Sequence, residues 1–210
     1  MSLATGLIAA GLGVAHLVAY YAHQRPLAGV LKALPILLLA WTVWACPSGK
    51  PAYAHLVALG LVFGAIGDVS LVFAGGFLAG LSAFFLGHLC YIAAFARGAA
   101  MTGDAALAAA ALAVFSVLAL RYLSPHVARV RVPVVLYVTV LSLMAWCAIA
   151  RATGPEAGVA AASAALGAVS FLASDGMLAV DRFVRRFTGA HAAVMVTYYA
   201  AQMLIARSAC

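Results

Sequence analysis

Charge is what this chain has least of: only 8% of its 210 residues are Asp, Glu, Lys or Arg, and just five are acidic. A soluble domain carries about 25% charged residues. Too little polar material is present to cover a water-facing surface, so lipid must be the solvent for most of the chain. Closely spaced cysteines are missing too. Cys46, Cys90, Cys147 and Cys210 lie far apart, mostly inside apolar runs, which reads as small packing residues rather than metal ligands or disulfides. No His-Glu-x-x-His spacing, no Gly-x-Ser-x-Gly elbow and no Gly-rich loop following a strand occurs, so neither a metal, a serine nucleophile nor a bound nucleotide is expected. No basic leader precedes the first apolar run, which is long enough to span and is expected to be retained.

The net charge of +7 would point to nucleic acid in a soluble protein. Here the basic residues sit in short clusters between apolar runs, where anionic head groups and orientation rules account for them. Membrane lipids are the expected partners, and nucleic acid is not.

What the chain does have is apolar length. A helix needs about 20 apolar residues to cross a bilayer, and eight such runs can be drawn: 3–21, 27–45, 53–73, 77–97, 105–122, 130–150, 156–180 and 190–207. They are continuous rather than alternating, so helices are expected and strands are not. The fold expected is all-α, a polytopic membrane protein with eight transmembrane helices forming one domain over residues 1–210. Pro47–Pro51 and Gly75-Gly76 read as tight turns. Gly60-x-x-x-Gly64 and Gly76-x-x-x-Gly80 fit close helix packing.

Arg25, Lys32, Arg121, Arg129, Arg131, Arg182, Arg185 and Arg186 flank the odd-numbered connections, against Lys50, Arg97, Arg151 and Arg207 on the other side. Eight of the 12 basic residues on one side place both termini outside and the richer side in the cytoplasm. A bacterial-type inner membrane is the expected home, or the endoplasmic reticulum for a eukaryotic source.

The acids are few enough to take one by one. Asp104 and Glu156 fall at helix starts, where a carboxylate complements the helix dipole, and Asp181 sits beside Arg182 at an interface. Asp68 and Asp175 differ. Each lies about five residues inside its run, roughly 7 Å at 1.5 Å per residue, where an ionised carboxylate costs about 2.5–3.5 kcal/mol. They also echo each other: Gly67-Asp68-Val69-Ser70-Leu71 ends the third run and Ser174-Asp175-Gly176-Met177-Leu178 the seventh. Four helices apart, the two segments keep one orientation and suggest a 4+4 parallel repeat that brings both acids to one depth. Two neighbouring buried carboxyls titrate as a pair and can supply one acid and one base together, with Lys32 as a counter-cation on the same side. The bland alternative is a structural aspartate paired with Lys32 or capping a helix.

His88 and Tyr91 lie three residues apart on one face of the fourth run and could line the same cavity. Tyr137, Tyr198 and Gln202 are further polar groups within apolar helices. His16, His23, His55, His126 and His191 mostly fall near helix ends and read as interfacial.

Several stretches together carry a family resemblance: Gly60–Leu71 with Asp68, Phe84–Tyr91 with His88, Tyr137–Met144, Gly167–Ala179 with Ser174 and Asp175, and Tyr198–Gln202. In this order they resemble the YhhN family of eight-helix membrane proteins, whose characterised members are lysoplasmalogenases. The resemblance implies hydrolysis of the vinyl ether of a lysophospholipid substrate, with Asp68 and Asp175 catalytic. Lys32, His88, Tyr91, Tyr137, Ser174, Tyr198 and Gln202 would support them. One departure is that family members often place Pro directly after the second-helix Lys, whereas Ala33 and Leu34 here separate Lys32 from Pro35. From the residues alone, a proton-coupled transporter or lipid-binding protein, or a packing scaffold, stays open beside the hydrolase.

Overall fold

The computed structural model describes residues 2–210. The described residues form eight α-helices: α1 (Leu3–Tyr21), α2 (Arg25–Ala45), α3 (Pro51–Ser70), α4 (Phe77–Phe95), α5 (Gly103–Leu123), α6 (Arg131–Ala152), α7 (Val159–Ala179) and α8 (Ala190–Arg207). Local chemistry sets their ends. The Ser2 and Thr102 hydroxyls accept the backbone N–H groups of Thr5 and Ala105, each at 3.1 Å, and so cap α1 and α5. Pro26 and Pro51 occupy first-turn positions of α2 and α3, where a missing N–H costs nothing. Gly75 takes φ +82° in the α3–α4 turn, a left-handed conformation that glycine adopts without strain.

Seven of these helices are long and apolar enough to cross a membrane, and α8 is the exception. The outer faces of the others explain the composition. Trp41 is 70% exposed and Leu107 71%, and without lipid such an apolar perimeter would face water. Helix α8 is placed differently. It packs on α7 and also meets α1, α2 and α3, so its polar side chains turn into protein: Tyr198, Tyr199 and Gln202 are all buried. Helix α5 lies at the periphery, chiefly against α6, with only Ala105 and Leu123 buried.

Helix α3 carries glycines at i, i+4 and i+7, which share one face. A β-carbon at Gly60 would collide with the Tyr91 ring, one at Gly64 would stand 2.8 Å from Gln202 Nε2, and one at Gly67 would stand 2.7 Å from the Phe84 ring. Side chains from α4 and α8 therefore rest directly on the α3 backbone. The close packing expected at Gly60 and Gly64 is present, and it shapes the polar interior.

Several expectations are corrected. Glu156 does not begin a helix, since α7 starts at Val159; it lies in the α6–α7 loop and pairs with Lys50. That contact holds its carboxyl below the usual glutamate range. Cys46 and Cys210 are not packing residues. They form a disulfide across 164 positions, with Cα atoms 6.1 Å apart. The end of α2 and the chain terminus meet on one face of the bundle, a juxtaposition that linear spacing does not encode. Arg151, counted among loop cations, is 4% exposed and stacks 4.1 Å over the Tyr53 ring. The seventh run does not stop at residue 180: a π-helical turn, Val180–Val184, continues α7. In it, Asp181 accepts the Phe187 N–H at 3.3 Å.

Candidate active site

One cavity of about 780 Å³ penetrates the bundle, within the range of small-molecule sites. Lys32, Asp68, Tyr137, Asp175, Asp181, Arg182, His191 and Tyr198 are the principal polar groups of its lining, and the rest of the wall is largely apolar. Five of these arrive from different helices, α2, α3, α6, α7 and α8.

Asp68 lies in the last turn of α3, nearer the helix end than its run suggested, yet only 1% exposed. Lys32 Nζ stands 3.1 Å from its Oδ1, and the Tyr198 hydroxyl donates to its Oδ2 at 2.6 Å. Behind Tyr198 the chain continues. Gln202, one turn on in α8, donates from Nε2 to the Tyr198 hydroxyl at 3.3 Å, and Tyr91 donates to Gln202 Oε1 at 2.8 Å. Every donor points toward the carboxylate, so the bonds polarise one another in one sense.

Asp175 has different company. The Tyr137 hydroxyl donates to its Oδ2 at 2.5 Å, and His88 Nε2 lies 3.0 Å from that hydroxyl and 3.9 Å from Oδ2. No Lys or Arg lies within ion-pair distance of Asp175 among the described residues, and its Oδ1 makes no hydrogen bond there. Its side chain is 15% exposed, against 2% for that of Asp68. One carboxyl is thus tied to a cation and meets the cavity from a nearly buried position. The other opens on the cavity and is tied to a neutral hydroxyl.

The expectation that His88 and Tyr91 line one cavity is corrected. Neither reaches the lining; both are 1% exposed. Three residues apart on α4, they stand behind the two acids, His88 backing Asp175 through Tyr137 and Tyr91 backing Asp68 through Gln202 and Tyr198. Ser174 borders the cavity, but its hydroxyl is committed to the Val194 carbonyl at 3.0 Å, which fastens α7 to α8. The Lys32 pairing named as the bland alternative for Asp68 is present, and it is part of the cavity wall.

Two groups escaped the sequence reading. His16 is buried, not interfacial: its Nδ1 lies 2.9 Å from the Tyr199 hydroxyl, which also contacts the Lys32 carbonyl at 3.2 Å. Pro35 in α2 has no N–H for the carbonyl four residues before it, and Tyr199 meets the loosened turn beside it. His191 stacks on Tyr20 with ring centroids 3.5 Å apart and lines the cavity. A histidine five residues from the end of an apolar run carries no sign of direction, so burial could not be read from its position.

Comparison with known proteins adds an independent line. The sequence profile of the YhhN family matches residues 27–209. The chain is 37% identical to human lysoplasmalogenase TMEM86B over 87% of its length and 75% of that protein. It is 33% identical to human lysoplasmalogenase TMEM86A over 86% of its length and 77% of that protein. A lysoplasmalogenase of Mycobacterium tuberculosis is 34% identical over 83% of this chain and 67% of the relative. No solved structure matches.

Proposed function

The chain belongs to the YhhN family, and from that premise we propose that it is a lysoplasmalogenase. It would cleave the vinyl ether bond of a lysoplasmenyl-choline or -ethanolamine to a fatty aldehyde and the corresponding glycerophospho-base. The observation that carries this reading is the unequal pair of carboxyls on one cavity: Asp68 has the Lys32 ammonium at 3.1 Å, and Asp175 has only hydroxyl and imidazole neighbours.

Vinyl ether hydrolysis opens with protonation of the outer alkene carbon, which leaves an oxocarbenium ion on the carbon bearing the ether oxygen. In this reading Asp175 donates that proton, and the Asp68 carboxylate stabilises the cation and orients the water that captures it. Capture of that water forms the hemiacetal and releases a proton that restores Asp175, and the hemiacetal then collapses to aldehyde and alcohol with no further water. Glycosidases meet an oxocarbenium transition state with two carboxyls as well, by analogy rather than descent. The apolar wall would take the single alkenyl chain. Lys32, His88, Tyr91, Tyr137, Tyr198 and Gln202 would position the two acids, and Ser174 would hold the α7–α8 contact beneath them.

Within the same reading, α8 is the eighth span, tolerated in lipid because its neighbours cover it. Residues 1–210 would make up one transmembrane domain, and a 4+4 parallel arrangement would relate the Asp68 and Asp175 helices. The basic face would lie in the cytoplasm of a bacterial-type inner membrane, or of the endoplasmic reticulum in a eukaryote. Support comes from the disulfide, which falls on the opposite face, where an oxidising compartment would preserve it.

Purified protein in nanodiscs should release aldehyde from lysoplasmenylcholine without added metal. Asp68→Asn and Asp175→Asn should each lower turnover by about 10²–10⁴-fold while the fold persists. Wild-type protein silent on both choline and ethanolamine lysoplasmalogens would overturn the reading. Ion-driven uptake of solute into proteoliposomes with no product formed would favour the transporter instead.

A further inference from the structure

Among the described residues, one cation of the cavity has no carboxylate partner. Arg182 lines the cavity at the π-helical turn Val180–Val184 and is exposed there. Its guanidinium Cζ sits over the Phe77 ring, 4.0 Å from the centroid, with the Phe183 ring at 5.9 Å. No carboxylate approaches it within ion-pair distance among the described residues. Adjacent Asp181 spends its Oδ1 on the Phe187 N–H. Lys32, the other cation in the lining, is already held by Asp68. A cation–π contact takes up none of the guanidinium's N–H donors, and their fork matches the oxygens of a phosphate. Single π-helical turns inserted in α-helices often occur at functional sites; this one carries Arg182 on the continuation of α7.

Register supplies the second argument. Arg182 follows Asp175 by seven residues, and although the π-helical turn shifts the facing, both side chains line the cavity, about 10 Å apart along the axis at 1.5 Å per residue. In a lysoplasmalogen seven bonds separate the alkene carbon that is protonated from the phosphorus. An extended chain covers about 3.5 Å per three bonds, so those seven span about 8 Å. An arginine side chain can take up the difference.

We propose that Arg182 binds the substrate's phosphate diester and so sets the depth at which the vinyl ether meets Asp175. This rests on the hydrolase reading above and adds its head-group site. The glycerophosphate lies at the cavity mouth against Arg182 and the Phe77 ring, and the alkenyl chain runs inward past Asp175 into the apolar wall. Arg182 is a binding and positioning residue and takes no part in proton transfer.

The test compares lysoplasmenylcholine with a 1-alkenylglycerol, which has the same vinyl ether and no phosphate. Aldehyde release by wild type, Arg182→Gln and Arg182→Lys is followed in nanodiscs, with inorganic phosphate as a third arm. Loss of a charge-assisted contact should cut the kcat/KM ratio of phosphate-bearing to phosphate-free substrate about 10- to 100-fold in Arg182→Gln, mostly through KM. Arg182→Lys should recover part of it. An unchanged ratio overturns the assignment. Accompanied by phosphate inhibition that Arg182→Gln removes, it marks a free-anion site; otherwise the guanidinium only anchors to bulk phospholipid. If wild type releases no aldehyde from either substrate, the hydrolase reading is what has failed. Equilibrium binding of a saturated-ether lysophospholipid against a monoalkylglycerol then tests Arg182 alone. The same 10- to 100-fold fall in relative affinity supports the site, and no fall refutes it.

Discussion

Replacing Lys32 with Met removes the only cation paired with Asp68 among the described residues. At 3.1 Å two unit charges attract by about 5 kcal/mol at an effective dielectric of 20. Removing one partner of a buried pair costs about 3–5 kcal/mol, because the other charge stays behind without water. The Lys32 side chain is 16% exposed, so cavity water moderates the loss, and about 3 kcal/mol is expected. Asp68→Asn alone should cost less, about 1–2 kcal/mol, since the freed ammonium can turn toward the cavity, whereas an unpaired Asp68 carboxylate would stay nearly buried. The double variant carries neither charge and should return to within about 1 kcal/mol of wild type. Equilibrium unfolding in mixed micelles, run as a double-mutant cycle, measures the coupling directly. Aldehyde release should be lost in all three variants, including the one whose stability recovers. A cycle with no coupling would refute Lys32 as the counter-ion of Asp68. A double variant that turns over like wild type would remove the carboxylate from the chemistry altogether.

Two other expectations follow from the same geometry. Tyr137→Phe deletes the donor to Asp175 Oδ2 and strips His88 Nε2 of its hydroxyl neighbour; turnover should fall about 10- to 100-fold, and an unchanged rate would show that Asp175 needs no positioning from α6. Cys210→Ser opens the disulfide to Cys46, which lies 14 residues from Lys32 along α2, about 21 Å away on the helix axis. It should lower stability by about 2–4 kcal/mol in unfolding assays and leave kcat in place, and a matching loss of kcat would mean that the far end of the bundle governs the cavity.

Which parts of the fold were legible follows from what a hydropathy pattern encodes. Runs of apolar residues report length, so the eight helices fall close to their expected ranges. Polarity in a run does not report its surroundings. Helix α8 carries His191, Tyr198, Tyr199 and Gln202 and falls short of the apolarity that marks a span, although several of its residues are the most buried in the chain. In lipid, where polar groups on the outside are penalised, a polar helix is tolerable only at the centre. The same principle accounts for His16: a lone histidine near a helix end is interfacial on average, but here a Tyr199 hydroxyl from α8 waits for it. Glu156 and the Cys46–Cys210 pair were misread for another reason, since their partners come from elements far along the chain and no local spacing points to them.

The site shows the same division more sharply. Asp68 and Asp175 stood out because a carboxylate inside an apolar run has an energetic cost that demands explanation, and cost is a local property. Their inequality is not local. Both acids sit in a small-Asp-x-x-Leu pattern, and nothing within either says which carboxyl meets a cation. That distinction is made by α2, which delivers Lys32 to one and not the other, and by α4, whose His88 and Tyr91 are one turn apart yet feed separate carboxyls. A pair of like acids becomes an acid and a base only when a third and a fourth element break the symmetry between them. It follows that exchanging the surroundings should matter more than exchanging the acids. Glu at either position keeps the carboxyl and lengthens its reach by one methylene, and should be tolerated better at Asp175, which opens on the cavity, than at Asp68, which is locked between an ammonium and a tyrosine.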